Sequence, residues 1–309
     1  MGVYLVTGGA GFIGSHLADS LVADGHEVRA LDDLSTGTRA NLQSGIELHV
    51  GSVAEPGQVA AVADGVDGIF HLAAVASVQA SVADWLGTHA ANQTGTVAVL
   101  DAARTANRGA PVPVVYASSA AIYGDNPNVP LKEDEPARPL SAYAADKYGS
   151  ELHARVASHL FGVPTMGLRF FNVYGPRQDP SSPYSGVISI FADRLARGDG
   201  VTIFGDGGQT RDFVYVADVV RALRAAMASP GDGARVFNVA RGSETSVTEL
   251  ANTLAAVLGV EADIAYADAR PGDIRRSMGD PGRLAAALGV RAETPLPDGL
   301  RALAASQAA

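Results

Sequence analysis

No cysteine occurs among the 309 residues. Disulfides, thiolate metal sites and cysteine nucleophiles are therefore excluded together. Aromatic residues are scarce at 6%, with one tryptophan, and charged residues make up 18%. Lysine and arginine number 23 against 33 aspartates and glutamates, a formal charge of −10. No stretch gathers enough cations for a nucleic-acid or anionic-membrane patch. Any phosphate-bearing ligand must then be held by a few specific groups. No uncharged apolar run approaches the roughly 20 residues of a membrane span. The first basic residue is Arg29, so no charged leader of a secretory signal is expected. No pair of histidines at helical spacing and no acidic cluster points to a metal. His16, His71, His153 and His159 read as ordinary helix and strand-end residues. The expectation is a soluble, cytoplasmic protein without a metal.

What is present is a regular alternation. Short β-branched runs predict strands at 3–6, 27–31, 48–50, 68–72, 112–117 and 165–170. Helical patterns cover 11–23, 58–63, a long stretch at 82–105, and 142–160, which Gly162 stops. Such alternation builds βαβ units, hence a parallel sheet with helices on both faces. Beyond Tyr174 the pattern loosens into a Pro/Ser/Asp-rich loop at 175–186. Helices follow at 187–197, 216–228 and 247–258, then two short Ala/Leu helices. The expected fold is α/β, a Rossmann-type doubly wound parallel sheet with a smaller C-terminal substrate lobe. At about 150 residues per domain the length allows both.

The first strand runs into Thr7-Gly8-Gly9-Ala10-Gly11-Phe12-Ile13-Gly14. Between a strand and a helix, glycines at 8, 11 and 14 suit a tight turn and close backbone approach to a pyrophosphate. The following helix offers unpaired N–H groups to the phosphates. The second strand ends at Asp32-Asp33, about 20 residues on, where a carboxylate accepts the adenosine ribose hydroxyls and repels a 2′-phosphate. NAD is thus preferred over NADP. The alternative is that the two aspartates simply start a turn.

Tyr143 and Lys147 lie four apart on one helical face. Free tyrosine has a pKa near 10, so a base at neutral pH needs it lowered by about 3 units, or about 4 kcal/mol. A positive charge about 4 Å away supplies about 4 kcal/mol at an effective dielectric of 20. Lys147, helped by an oxidised nicotinamide, would make Tyr143 a proton acceptor. Upstream, Ser118 and Ser119 end the 112–117 strand region, where hydroxyls face the ligand crevice of such sheets.

With these residues in this order the chain resembles the extended short-chain dehydrogenase/reductase family, and within it the UDP-sugar 4-epimerases. The likeness runs over essentially the whole length. It rests on TGGAGFIG, HLAA at 71–74, YASSAAIYG, Tyr143/Lys147 and LRFFNVYGPRQDP at 168–180, then IFGDG at 203–207, TRDFVYVADVV at 210–220 and RPGDIRRS at 270–277. The resemblance implies NAD-dependent inversion at C4 of a UDP-hexose through a transient 4-keto sugar. It implies an NAD-binding domain over 1–174, with later contributions from about 212–241, and a substrate lobe over 175–309. A homodimer through the helices at 82–105 and 142–160 is also implied.

Residue by residue, Ser119 matches the catalytic serine that bonds the sugar O4. Tyr143 matches the base, and Lys147 the residue that binds the nicotinamide ribose. The cofactor is assigned Gly8, Gly11, Phe12, Ile13, Gly14, Asp32 and Asp33. It is also assigned Ser35, Thr36, Gly37, Ser52, Val53, Leu72, Ala73, Ala74 and Asn92. Substrate residues are Ser118, Ser119, Tyr143, Phe170, Asn172 at the phosphates, Val187 near the uracil, Arg211 and Arg270 on the diphosphate, and Asp273 near the uridine ribose. Forked arginines suit a diphosphate. Phe170, Phe171 and Tyr174 either line the pocket or simply pack.

Two positions depart from the pattern. Ser52 stands where an aspartate usually meets the adenine amine, and Asp146 stands before Lys147 where serine or threonine is common. Asp146 is expected to point to solvent. Ala120 and Ala121 occupy positions where related dehydratases and decarboxylases carry an acid or polar group, which argues against those reactions. The glucose/galactose pair is the default sugar, with glucuronate and N-acetylglucosamine as alternatives.

Overall fold

The computed structural model describes residues 1–179, 186–269 and 273–307. The chain divides into two compact units. The first comprises Met1–Ile122, Pro139–Arg169 and Val220–Phe237; the second comprises Tyr123–Arg138, Phe170–Val219 and Asn238–Ala309. The boundary expected after 174 falls at 169, and 123–138 goes with the second unit. Both shifts follow from contacts distant in sequence: Asn172 N on Asp212 O for the first, Leu131 N on Met278 O and Tyr123 Oη on Asn238 Oδ1 for the second.

The first unit alternates strand and helix. β1 (Val3–Thr7) and β2 (Glu27–Asp32) flank α1 (Phe12–Ala23), and β3 (Glu47–Val50) precedes α2 (Pro56–Ala63). β4 (Gly68–His71) is followed by α3 (Val78–Ala83), α4 (Trp85–His89), a π-helical turn at Ala90–Thr94 and α5 (Gly95–Ala103). β5 (Val114–Ser119), α6 (Ala142–Phe161) and β6 (Thr165–Phe170) come next. The strand Ala234–Val239 completes a seven-stranded sheet of order Ala234–Val239, β6, β5, β4, β1, β2, β3. Its registers from β3 through β5 are parallel, with Leu5 opposite both Arg29 and Ile69. Parallel pairing forces each connection to cross over through a helix. Strand order reverses between β1 and β4, which sets their C-terminal ends beside the crevice where such sheets take ligands.

Apolar side chains drive this arrangement. Leu5, Leu31, Val59, Ile69, Val99, Val114 and Tyr116 form one buried cluster with Ala154 on α6. Each fully buried aliphatic side chain contributes about 1.5–3 kcal/mol. Gly162 stops α6 at φ 68°, the left-handed cap expected of it. The long helix expected at 82–105 is instead broken. Asp84 accepts the Gly87 N–H at 2.9 Å and caps a new helix start, so its side chain competes with continuation of the α3 backbone.

In the second unit Val187–Ala196, Val247–Leu258 and Leu296–Gln307 are helices around Phe191, Leu195, Leu250, Leu254, Leu300 and Leu303. Val201–Phe204 pairs in parallel with Ile264–Ala267, strands the pattern did not reveal. Among the described residues no helix is long and apolar enough to cross a membrane.

Candidate active site

The turn after β1 is built by its glycines. Gly8 adopts φ +69°, and a Cβ there would sit 2.7 Å from the Ala73 nitrogen. A Cβ on Gly14 would fall 2.0 Å from the Gly8 carbonyl oxygen, so α1 packs on the turn only without one. Gly11 is the N-cap of α1 and offers no side chain to its first N–H groups, those of Phe12 and Ile13 included. These donors and the positive end of the helix dipole suit a pyrophosphate.

Asp32 ends β2 and is 7% exposed. Its Oδ2 accepts Ala10 N and its Oδ1 accepts Leu34 N, both at 2.9 Å. Burial pushes its pKa up, opposed by the hydrogen bonds from Leu34 and Ala10. A carboxylate has about four acceptor positions, so capacity remains for ribose hydroxyls. Asp33 behaves otherwise: it is exposed and its Oδ1 accepts Ser35 N and Oγ. Asp33 therefore starts a turn, whereas Asp32 is turned inward at the end of β2. Thr36 is exposed, and Gly37 packs on Ala10 and Asp32. Leu72, Ala73 and Ala74 follow β4 half-buried, with Ala73 N donating to Thr7 Oγ1 at 3.2 Å. The residues of this end fit NAD.

Three assigned cofactor residues do structural duty. The Ser52 hydroxyl accepts Ala54 N at 3.2 Å, and Val53 is buried against Gly95. Asn92, 2% exposed, accepts Val75 N at 2.8 Å and donates to Val75 O at 3.2 Å, fixing the loop beyond β4.

Ser119, Tyr143 and Lys147 come together where β5 meets α6. Ser141 caps α6 by accepting Ala144 N at 3.2 Å, which sets Tyr143 in the first turn. Lys147 Nζ donates to Ala117 O at 2.9 Å and lies 6.0 Å from the Tyr143 ring centre. Burial raises the Tyr143 pKa, and its hydrogen bond with Ser119 lowers it. Burial thus opposes the activation that the charge arithmetic expects from Lys147 together with an oxidised nicotinamide. Burial brings Lys147 down to about 8, while Asp146 raises it.

Ser118, expected to donate to the substrate, already has a partner for its hydroxyl proton. It is 2% exposed and its Oγ donates to Glu151 Oε1 at 2.5 Å. Glu151 in turn receives Arg169 Nε at 2.8 Å and Nη2 at 2.7 Å, a fully buried fork. Glu151 follows Lys147 by four residues, a spacing that helical periodicity could have flagged. Asp146 also departs from expectation: it is buried and bonds His89 Nδ1 at 2.7 Å, because α4 packs across that face of α6. His71 is structural, held by Thr7 Oγ1 at 2.8 Å and Thr96 Oγ1 at 3.0 Å.

In the second unit Arg211 donates to Thr210 O at 2.8 Å, Ile274 O at 2.7 Å and Asp273 Oδ1 at 2.5 Å. The two expected nucleotide residues are therefore paired with each other. Asn172 is exposed and Val187 opens its helix half-buried. Arg270 lies outside the described residues. Phe170 and Phe171 are buried, and Tyr174 packs on Phe213 and Tyr215, so Tyr174 is a core residue. Among the described residues no group of three metal-binding side chains occurs.

A family model for the NAD dependent epimerase/dehydratase family matches residues 4–240. The UDP-glucose 4-epimerase of Mycolicibacterium smegmatis is 41% identical over 96% of this chain and 95% of that protein. The solved UDP-glucose 4-epimerase of Thermotoga maritima with UDP-glucose superposes with a TM-score of 0.94 at 36% identity, covering 99% of this chain and 98% of that one. A UDP-N-acetylglucosamine 4-epimerase from Methanobrevibacter ruminantium reaches the same TM-score at 35% identity and the same coverage. With its glycine turn, buried Asp32 and Ser119–Tyr143–Lys147 cluster, the chain belongs to the NAD dependent epimerase/dehydratase family, and NAD is its cofactor.

Proposed function

We propose that this enzyme inverts C4 of a UDP-hexose, with UDP-glucose and UDP-galactose as the sugar pair. The observation that carries the reading is the meeting of Tyr143, Ser119 and Lys147 at the end of β5, followed by a 3-10 turn whose Ala120 and Ala121 carry no acid. Bound NAD supplies the acceptor, and then the donor, of the C4 hydride. Tyr143 takes the O4 proton, with Ser119 hydrogen-bonded at the same oxygen. Lys147 holds the nicotinamide ribose and adds positive charge near the phenol. Tyr143 returns the proton once the 4-keto sugar has turned its other face. In the second unit Arg211 and Asn172, together with Arg270, grip the diphosphate, and Asp273 serves the uridine ribose. Without an acid at 120 or 121, elimination and decarboxylation have no proton donor there.

A second sugar deserves a test because the N-acetylglucosamine enzyme superposes as well as the glucose one. UDP-glucose, UDP-N-acetylglucosamine and UDP-glucuronate are each incubated with enzyme and followed by nuclear magnetic resonance. The expected product is UDP-galactose from UDP-glucose with no net NADH change. A keto-deoxy product, or turnover of another sugar alone, overturns the assignment.

The working unit is proposed to be a homodimer. Leu152, Val156 and Leu160 repeat every fourth residue along α6 and are exposed, as are Val82, Trp85 and Leu86. Such an apolar helix face favours a second copy. Light scattering should give twice the chain mass, and Leu160→Asp should lower it to one chain.

A further inference from the structure

Consecutive residues at the end of β5 are each grasped by a different turn of α6. Ser119 hydrogen-bonds Tyr143, Ala117 O receives Lys147 Nζ at 2.9 Å, and Ser118 Oγ donates to Glu151 Oε1 at 2.5 Å. Tyr143, Lys147 and Glu151 are spaced by four and so run along one side of the helix. The register of β5 with β4 ends at Tyr116, so on that side the ladder does not reach Ala117, Ser118 and Ser119. Beyond Ser119 the chain enters the 3-10 turn Ala120–Tyr123. Ser119 Oγ accepts Ala121 N at 3.1 Å, which leaves its proton to donate.

The Ser118 anchor is rigid on its far side. Arg169 on β6 reaches Glu151 Oε1 through Nε at 2.8 Å and Oε2 through Nη2 at 2.7 Å. Such a fork fixes the plane of the carboxylate as well as its position. Ser118, Glu151 and Arg169 are 2%, 3% and 6% exposed, so water does not stand in for any of these bonds. Successive strand residues face opposite sides, which lets Ser118 anchor inward while the half-buried Ser119 points the other way.

We propose that Ser118 is a positioning residue: its bond to the forked Glu151 sets the depth and direction of the β5 end, and thereby where the Ser119 hydroxyl stands against Tyr143. Its importance for turnover rests on the roles proposed above for Ser119 and Tyr143.

A double-substitution cycle tests this with the UDP-sugar that the resonance assay identifies as substrate. Rates are referred to folded, NAD-loaded enzyme. Ser118→Ala should lower kcat by about ten- to a hundred-fold, the scale of a reacting group displaced by about an ångström. KM and calorimetric UDP affinity should hold, because on this reading Ser118 contacts neither nucleotide nor sugar. In the Ser119→Ala background the same change should alter kcat by less than about three-fold, since Ser118 then has no hydroxyl left to place. Ser118→Thr keeps the donor and should keep turnover. Parent-like kcat in Ser118→Ala overturns the inference and leaves the reading of Ser119 standing. A loss that multiplies with that of Ser119→Ala, or one that falls on KM and not on kcat, overturns it equally. Unaltered kcat in Ser119→Ala alone overturns the proposed role of Ser119, and this inference with it.

Discussion

Site residues of the first unit are fixed by buried partners, whereas those of the second are held by partners open to water. Lys147 is anchored on a strand carbonyl, Ser118 on Glu151, and Glu151 on Arg169, all within side chains nearly removed from solvent. Arg211 instead shares an ion pair with Asp273, whose side chains are 17% and 34% exposed. Burial makes geometry and protonation expensive to change, which suits groups that move a proton. A partly exposed pair contributes at most about 1 kcal/mol and exchanges partners easily. That suits the role proposed for them, taking up and releasing a nucleotide diphosphate.

The contrast breaks first at the base. Tyr143→Phe should lower kcat by about a thousand-fold or more, the scale of general acid–base catalysis. Calorimetric UDP affinity should stay within a few-fold, because the nucleotide contacts are assigned elsewhere. Near-normal turnover in this variant would remove Tyr143 from the mechanism. Glu151→Gln comes next and tests stability rather than chemistry. It takes from Arg169 the carboxylate that holds its fork, and breaking a buried pair this way costs about 3–5 kcal/mol. Chemical denaturation should read that loss. A change under about 1 kcal/mol would mean that the fork does not rigidify this unit.

This difference between the units also decides how much the sequence reveals. β6 and the helices Val216–Ala228 and Val247–Leu258 match their expected bounds, because apolar periodicity and a local stop specify them. The glycine turn, Asp32 and the Tyr143–Lys147 spacing were legible for the same reason: each lies within one short stretch. The burial of Ser118 and Asp146 is not legible in the sequence because it depends on partners from other elements. Glu151 lies 33 residues from Ser118, and His89 lies 57 from Asp146, with no local signal joining them. The strands Val201–Phe204 and Ile264–Ala267 escaped for a related reason, since each is short and completed only by its remote mate.

Arg211→Gln should be milder than either change in the first unit. It removes a charged fork, and hydrogen bonds to charged groups contribute about 1.5–3 kcal/mol. UDP affinity should drop by roughly ten- to a hundred-fold, with KM rising and kcat little altered. If kcat falls as far as in Tyr143→Phe while UDP affinity holds, the second unit also carries chemistry and the division fails.

Asp273→Asn separates two roles that the resemblance and the geometry give one side chain. As a ribose contact, Asp273 would strengthen nucleotide binding. As the partner of Arg211 Nη2, it would compete with a diphosphate for that donor. The variant removes a negative charge beside the proposed anion site in a chain of net charge −10. The exposed pair is weak, so the effect should be the smallest of the set, with UDP binding unchanged or tighter by up to about five-fold. Isothermal titration at low and high salt reads the sign, because a freed guanidinium gives a gain that fades as ions screen it. A salt-independent loss of ten-fold would instead make Asp273 a true nucleotide contact, and the Arg211 pair an arrangement that dissolves on binding.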